Sequence, residues 1–560
     1  MSTSIATDTP AAEPSTGDKR TFPSEAPPSL SPDTEIADAQ AREDTPDAKR
    51  AKTEQQQEQQ EGTSAATPAA PGKKLTGKER RQAKNMQGAG RRKREGKRDY
   101  TRPEGSADAA EGDARDKTPR LPKRMTALLL GYCGSGYNGL QIQKDGTGVT
   151  TIENTLFDAL TRAGAVSQDN ANDPTKVGIA RAARTDAGVH AAGNVVALKM
   201  ITEVPGVPDM VTRVNEELPP EIRLWGLVRV QNSFNPRTNC DSRKYTYFFP
   251  TYLLIPPKPS SALYRVLTEH TASFNPPIPS PLLGHPFWDA APADSAAADD
   301  MTRKRAWRVG KEQMEQLRAG ARKYLATHNF HNFTVDGAFN DRSNMRVMKA
   351  IDIADPVVYG ETEWISVLFH GQSFMMHQIR KMISALVLSV RTGTPADVID
   401  ELYGPRDIFI PKMPALGLLL EEPLFDSYNQ RLDKFNEKHS PGDPDYRLPI
   451  DFEPFHAQIA AFKQKYIYDN MRMVEDRDGL YDAWIRNVDD YAGNDLLYLN
   501  PKGVIPSAAV VRDRRDRHRK GGFKEKRLFD ATSFPTGGKE SGAVDDEDVE
   551  AESKTAEMEG

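Results

Sequence analysis

The chain has 560 residues, of which 40 are Gly and 41 Pro while only 37% are hydrophobic, so the folded part is expected to be shorter than the chain. The formal net charge of −5 neither favours nor excludes a polyanionic partner, because an acidic tail can hide a basic face in the sum. Two widely separated cysteines, Cys133 and Cys240, exclude a disulfide framework and a Cys-x-x-Cys zinc site and suit a reducing intracellular compartment; no run is apolar enough to span a bilayer, and the amino terminus lacks the apolar stretch of a signal peptide.

Residues 1–123 read as a disordered arm, dominated by Ala, Thr, Pro, Ser, Glu and a Gln-rich tract at 55–60, with too little apolar surface to offset the ordering entropy. From Lys73 to Arg98, twelve Lys or Arg stand against Glu79 and Glu95, with Lys49-Arg50-Ala51-Lys52 upstream. Such runs act as solvated linkers, nuclear-import signals or phosphate contacts, and the sequence does not separate import from nucleic-acid contact. Order is expected from Arg124. Ala127-Leu128-Leu129-Leu130 predicts a buried strand leading into a glycine turn, Tyr132 to Gln141, that lacks both the Gly-x-Gly-x-x-Gly spacing and the Walker lysine of a phosphate cradle. Thr150 and Glu153 have capping-box spacing, and Ile152, Leu156, Leu160 and Ala163 share a helical face ending at Gly164.

Next comes Arg184-Thr185-Asp186-Ala187-Gly188-Val189-His190, which crowds a cation, a hydroxyl, a carboxylate and an imidazole among small residues just ahead of the strand-like Val195–Met200. A rigid strand would hold such a loop, and small neighbours let another backbone or a ligand approach. A short helix over 208–218 and a strand over 224–230 follow. Then Arg243-Lys244-Tyr245-Thr246-Tyr247 alternates basic and aromatic residues, which suits base stacking beside phosphate contacts as well as an ordinary strand. Residues 274–305 read as a mobile insertion. A helix resumes near Lys311. His328 and His331 have no acidic or cysteine partner nearby in sequence and fit a turn flanked by core phenylalanines better than a metal site. Strands over 346–353 and 363–370 precede an amphipathic helix in which Met375, Ile379, Met382, Ile383, Leu386, Val387 and Val390 form the apolar stripe, with Arg380 on its margin. A helical extension over 426–495, a basic run with nine Lys or Arg from Arg512 to Arg527 and an acidic tail complete the chain.

The loop Arg184–Ala191 resembles the active-site loop of the TruA family of tRNA pseudouridine synthases, and the resemblance runs in chain order from Arg124 to Phe425 through four separate motifs. The wording of Gly131–Gly139 and the long basic arm are most similar to the family's eukaryotic multisite subgroup. The resemblance implies an α+β fold of two ferredoxin-like subdomains, residues 124–254 and 308–425, joined by a 255–307 insertion. They would share an extended, largely antiparallel sheet with a central basic cleft, flanked by disordered termini at 1–123 and 496–560. It implies isomerisation of uridine to pseudouridine, with Asp186 as nucleophile, Arg380 as its ion-pair partner, Tyr245 stacked on the base, and Arg184 in the space left by a flipped nucleotide. Whether Asp186 attacks the sugar or adds to the base is left open.

No cofactor is expected for that reaction; a structural zinc has no visible ligand cluster. The expected partner is tRNA, modified around positions 27 and 28, with small nuclear RNA and mRNA as further candidates. A nuclear monomer is expected. Two other classes fit the sequence less well: an RNA-folding protein on the same scaffold would have little need of Asp186, Tyr245 and Arg380 together, and a hydrolase would need a second carboxylate or a ligand set that the spacing does not supply.

Overall fold

The computed structural model describes residues 121–143 and 149–511, apart from 277, 283, 284, 293 and 336, together with Phe523. The Lys73–Arg98 and Lys49–Lys52 basic segments, the Arg512–Arg527 run except Phe523, and the acidic tail lie outside the described residues. Among the described residues ten strands make one sheet: β1 (Lys123–Tyr132), β2 (Ala180–Arg181), β3 (His190–Ile201), β4 (Ile222–Arg229), β5 (Ser242–Pro250), β6 (Ala326–Asn329), β7 (Met345–Ile353), β8 (Val357–Tyr359), β9 (Thr362–Gly371) and β10 (Leu418–Leu424). Their order is β4-β1-β3-β10-β5-β9-β7-β6, with β2 on β3 and β8 on β9. Every pairing is antiparallel except that of β10 with β3.

The order resolves into two copies of the β-α-β-β-α-β unit. In the first, β1, the helix Ile152–Arg162, β2, β3, the helix Met210–Glu217 and β4 lie as β4-β1-β3-β2. In the second, β5, the helix Lys311–Arg322, β7, β9, the helix Gln378–Arg391 and β10 lie as β10-β5-β9-β7. The expected two ferredoxin-like units are present, but β5 opens the second rather than closing the first. The reason lies in its partners: β5 pairs with β10 and β9, both from the C-terminal part of the chain. The units meet at one edge of β3, where β2 pairs with Val196 and Ala197 while β10 pairs with His190 and Ala191.

Local sequence explains most elements. β1 lacks polar alternation because every residue from Met125 to Tyr132 is buried. The helix after it starts one residue later than capping-box spacing suggests. Thr151 is the cap, accepting from the Asn154 amide at 3.3 Å. Glu153 therefore points inward, accepting the Ile142 amide at 3.0 Å and the Arg181 guanidinium at 2.7 and 3.0 Å. Met375 precedes the helix Gln378–Arg391, so the apolar stripe begins at Ile379.

Residues 255–307 contain the helices Ala262–Ala272 and Ala297–Ala306, and Trp288 donates to the Pro256 carbonyl at 2.8 Å. The extension packs on the sheet: a Cβ on Gly193 or Gly226 would sit 3.0 Å from the Phe452 ring or 2.6 Å from that of Phe455. Thr246 of β5 donates to Glu421 at 2.6 Å, and Lys463 of the extension holds the same carboxylate at 2.6 Å. Packing continues past residue 495, with Leu496, Tyr498 and Leu499 buried and Val510 bridging Ile408.

Arg391 and Asp489 tie the second unit to the extension through a buried bidentate pair at 2.6 and 3.0 Å. Asp489→Ala strands a buried guanidinium and is expected to lower stability by about 3–5 kcal/mol, whereas Arg391→Met with Asp489→Leu should recover most of it. Thermal unfolding of the three proteins checks this; equal loss in the single and double variants would deny that the stranded charge is the cause.

Candidate active site

Asp186 sits in the loop joining β2 to β3, and the glycine turn after β1 forms its floor. The Leu140 amide donates to the Thr185 carbonyl at 3.1 Å, and the Gly188 amide to that of Tyr137 at 3.2 Å. This closeness is why the turn is built of glycine: a Cβ on Gly134 would lie 2.1 Å from the Val189 oxygen, and Gly139, at φ 83°, would bring one within 2.9 Å of the Thr185 oxygen. Behind the loop, the buried Tyr132 and Thr185 hydroxyls share a hydrogen bond of 2.9 Å. Asn194 donates to Tyr132 at 3.2 Å and to the Ala183 carbonyl at 3.0 Å.

The opposing wall comes from the second unit. The turn from β9 into the helix Gln378–Arg391 delivers Phe374, His377 and Arg380 in succession. Arg380 donates through Nε to the Met413 carbonyl at 2.6 Å, and its Nη1 lies 3.7 Å from Asp186 Oδ2. His377 Nε2 lies 3.5 Å from the same oxygen. The side chains of His377 and Arg380 are 5% and 9% exposed and that of Asp186 31%, so two buried donors face a carboxylate that solvent still reaches. Tyr245, buried on β5, meets Phe374 edge to face with ring centroids 5.1 Å apart. Burial raises its phenol well above the ordinary range, with Arg243 opposing and the negative charge of Asp186 adding to the rise, so the hydroxyl stays protonated at neutral pH.

These elements join a partly open carboxylate to a buried cation and a flat aromatic surface. Residues 321–426 match a family described as tRNA pseudouridine synthase. The chain is 40% identical over 417 residues to tRNA pseudouridine synthase 1 of Candida glabrata, an alignment spanning 68% of this chain and 73% of that protein. It is 41% identical over 385 residues to the protein of that name from Saccharomyces cerevisiae, spanning 62% and 68%. To the mouse pseudouridylate synthase 1 homolog it is 30% identical over 405 residues, spanning 72% and 83%. The chain belongs to the tRNA pseudouridine synthase family.

Of the family residues carried over by resemblance, Asp186, Arg380 and Tyr245 converge here. Arg380, expected on the helix margin, is buried because Met413 and Asp186 both receive its guanidinium. Arg184 is exposed on the same loop, where its charge acts on buried Glu153. Tyr247 is fully buried and donates to the Pro414 carbonyl at 2.7 Å, as an ordinary core aromatic would. Phe330 and Phe333 are buried around the His328–His331 turn, where His328 stacks on Tyr403. Among the described residues no three His, Cys, Asp or Glu gather as a metal site.

Two further residues border the Asp186 cleft, His377, which the sequence analysis does not single out, and Arg243, which it reads only as a basic neighbour of Tyr245. His377 stands just ahead of the helix that carries Arg380, on a left-handed backbone that helical spacing does not describe. Arg243, two residues before Tyr245 and so on the same strand face, ties the Gln372 and Ala182 carbonyls at 2.8 and 3.0 Å, bridging the two walls.

His190 is a strut between the units. Its Nδ1 accepts the Gly134 amide at 3.0 Å, which leaves Nε2 to donate to the Leu416 carbonyl, also at 3.0 Å. Burial pushes it down from 6.5 to about 4. The unfolded chain therefore binds the extra proton first, and the contribution of His190 is whole above pH 6.5 and is lost as pH falls toward 4, about 3 kcal/mol across that window. Glu475, raised by burial to about 7, opposes this, because its cost grows as pH rises from 4.5 to 7. The wild-type profile is thus flattened, and the difference between wild type and His190→Gln should isolate the His190 slope. Parallel unfolding profiles across pH 4 to 6.5 would contradict a neutral buried imidazole.

Proposed function

We propose that this chain isomerises uridine to pseudouridine in tRNA. The bond from C1′ to N1 breaks, the base turns, C1′ joins C5, N1 takes up a proton and the C5 proton leaves. The observation that supports this reading best is the meeting of Asp186 from the first unit with Arg380 from the second, at 3.7 Å and beside Tyr245. In this reading Asp186 is the nucleophile, Arg380 favours and orients its ionised form, Tyr245 offers a face to the base and a hydroxyl for proton transfer at C5, and Arg184 takes the phosphate or vacated space of a flipped nucleotide. No electron, phosphate or acyl group is transferred, so the chemistry calls for no redox cofactor or nucleotide.

Asp186→Asn keeps size and hydrogen-bonding capacity but removes the nucleophilic charge. Release of tritium from C5-labelled tRNA should fall to background while filter binding, and its steep decline with salt, stays parental. Arg380→Ala should lower turnover about 100- to 1000-fold by removing the donor that holds the carboxylate. Tyr245→Phe keeps the ring and tests the hydroxyl alone. Parental release by Asp186→Asn would remove the central assignment.

The subgroup resemblance supports multisite action, including tRNA positions around 27 and 28 on the 5′ side of the anticodon stem, recognised by shape more than sequence. Small nuclear RNA and mRNA are further proposed substrates, and the protein is proposed to act as a monomer. Pseudouridine mapping in cells lacking the protein should show loss at the 5′ side; loss confined to positions around 38 to 40 would contradict it. The Lys73–Arg98 and Lys49–Lys52 clusters support residence in the nucleus. A fusion lacking residues 1–100 should lose nuclear enrichment, and one that stayed nuclear would place the signal elsewhere.

A further inference from the structure

His377 holds an unusual backbone for its residue type. Its φ and ψ are 60° and 2°, in the left-handed region that glycine occupies freely and a Cβ-bearing residue enters at a cost of about 1–2 kcal/mol. Nothing in the turn leaves that conformation to chance. The Met375 amide donates to the Gln378 side chain at 2.9 Å, the Gln378 amide to the Met375 carbonyl at 3.2 Å, and the Lys381 amide to the His377 carbonyl at 3.0 Å. From outside the turn, Thr334 donates to the Met376 carbonyl at 3.1 Å while its own carbonyl accepts Lys381 Nζ at 2.9 Å. A glycine would satisfy every one of these backbone bonds without strain. What a glycine would lack is the imidazole, which is buried and directed at Asp186 Oδ2.

We infer that His377 is a positioning residue for the isomerisation, acting through Asp186: its ring N–H and the Arg380 guanidinium grip one carboxylate oxygen from two directions and so fix the aim of the other. A carboxylate held at one oxygen by a single donor still swings about its terminal torsion, which is broad for Asp. A second donor on the same oxygen removes that freedom before substrate arrives, a form of preorganisation. The separations of 3.5 and 3.7 Å are long for the free protein and leave room to tighten when a base fills the cleft. The strain at residue 377 is thereby exchanged for the direction of the reacting oxygen. The inference rests on the proposed role of Asp186.

The test is single-turnover pseudouridine formation on tRNA with His377→Gly and His377→Asn, alongside thermal unfolding and filter binding. Gly fits the left-handed backbone and removes the donor; Asn tolerates that backbone and carries an amide N–H. Gly is expected to slow the single-turnover rate about ten- to a hundredfold with tRNA affinity within about twofold of parental and an unchanged or higher unfolding midpoint. Asn should recover part of the rate. A parental rate in the Gly variant, a loss matched by weaker tRNA binding or by unfolding, or an Asn variant no faster than Gly would overturn the inference. Asp186→Asn run in parallel separates the two claims: if it turns over at the parental rate, the role of Asp186 fails; if it is inactive while His377→Gly is parental, only the role of His377 fails.

Discussion

β10 is the last strand of the sheet in chain order, and it lies between β3 and β5. It pairs in parallel with His190 and Ala191, immediately after the Asp186 loop, and antiparallel with Tyr245, Thr246 and Tyr247. The approach of Asp186 to Arg380 depends on this insertion. Remove it, and the loop of the first unit and the helix Gln378–Arg391 of the second have no common frame. The segment just before β10 completes the join, because the Met413 carbonyl holds Arg380 and the Leu416 carbonyl holds His190. Contacts between residues more than two hundred positions apart in sequence must therefore form before the site exists, the kind of non-local pairing whose loop-closure entropy is met late in folding.

Burying Arg380 carries a desolvation cost of several kcal/mol, and a half-open carboxylate at 3.7 Å does not offset it alone. The short bond to the Met413 carbonyl shares that task. The result is a cation held by backbone on one side and by the Asp186 carboxylate on the other. Its geometry is set by the scaffold rather than by Asp186, which leaves the carboxylate oriented by groups that do not themselves move. Tyr245 is fixed in the same way, by the edge of Phe374 and by its strand, so its ring is in place without a substrate to order it.

The extension works on the other face of the same strand. Tyr245 and Thr246 point to opposite sides of β5, and Thr246 donates to Glu421, whose carboxylate Lys463 also holds. Tyr481 reaches the Phe248 carbonyl at 2.6 Å, and Glu475, bonded to the Tyr252 hydroxyl, accepts the Tyr481 amide at 3.0 Å. These polar links run through buried surroundings, where each partner left alone would cost more than the bond contributes. They couple helices outside the two units to the strand that carries Tyr245.

What the sequence by itself determined is local. The apolar run of β1, the 3.6-residue stripe from Ile379 to Val390 and the small-residue loop around Asp186 are each dictated by neighbours a few positions away, and they were legible for that reason. The family resemblance added which carboxylate, guanidinium and tyrosine belong together. What only the tertiary structure decided has partners far along the chain. A one-residue shift in helix start turned Glu153 from a cap into a buried partner of Arg181; the placement of β10 moved β5 into the second unit; and Met413 drew Arg380 off the helix margin into the interior. Glycine spacing after β1 announced a turn but not that the turn would floor the Asp186 loop. His377 was least legible of all. A left-handed φ on a histidine is opposed by local sterics, so no local pattern predicts it, and only the bonds from Gln378, Thr334 and Lys381 that close around the turn make it the conformation the chain adopts.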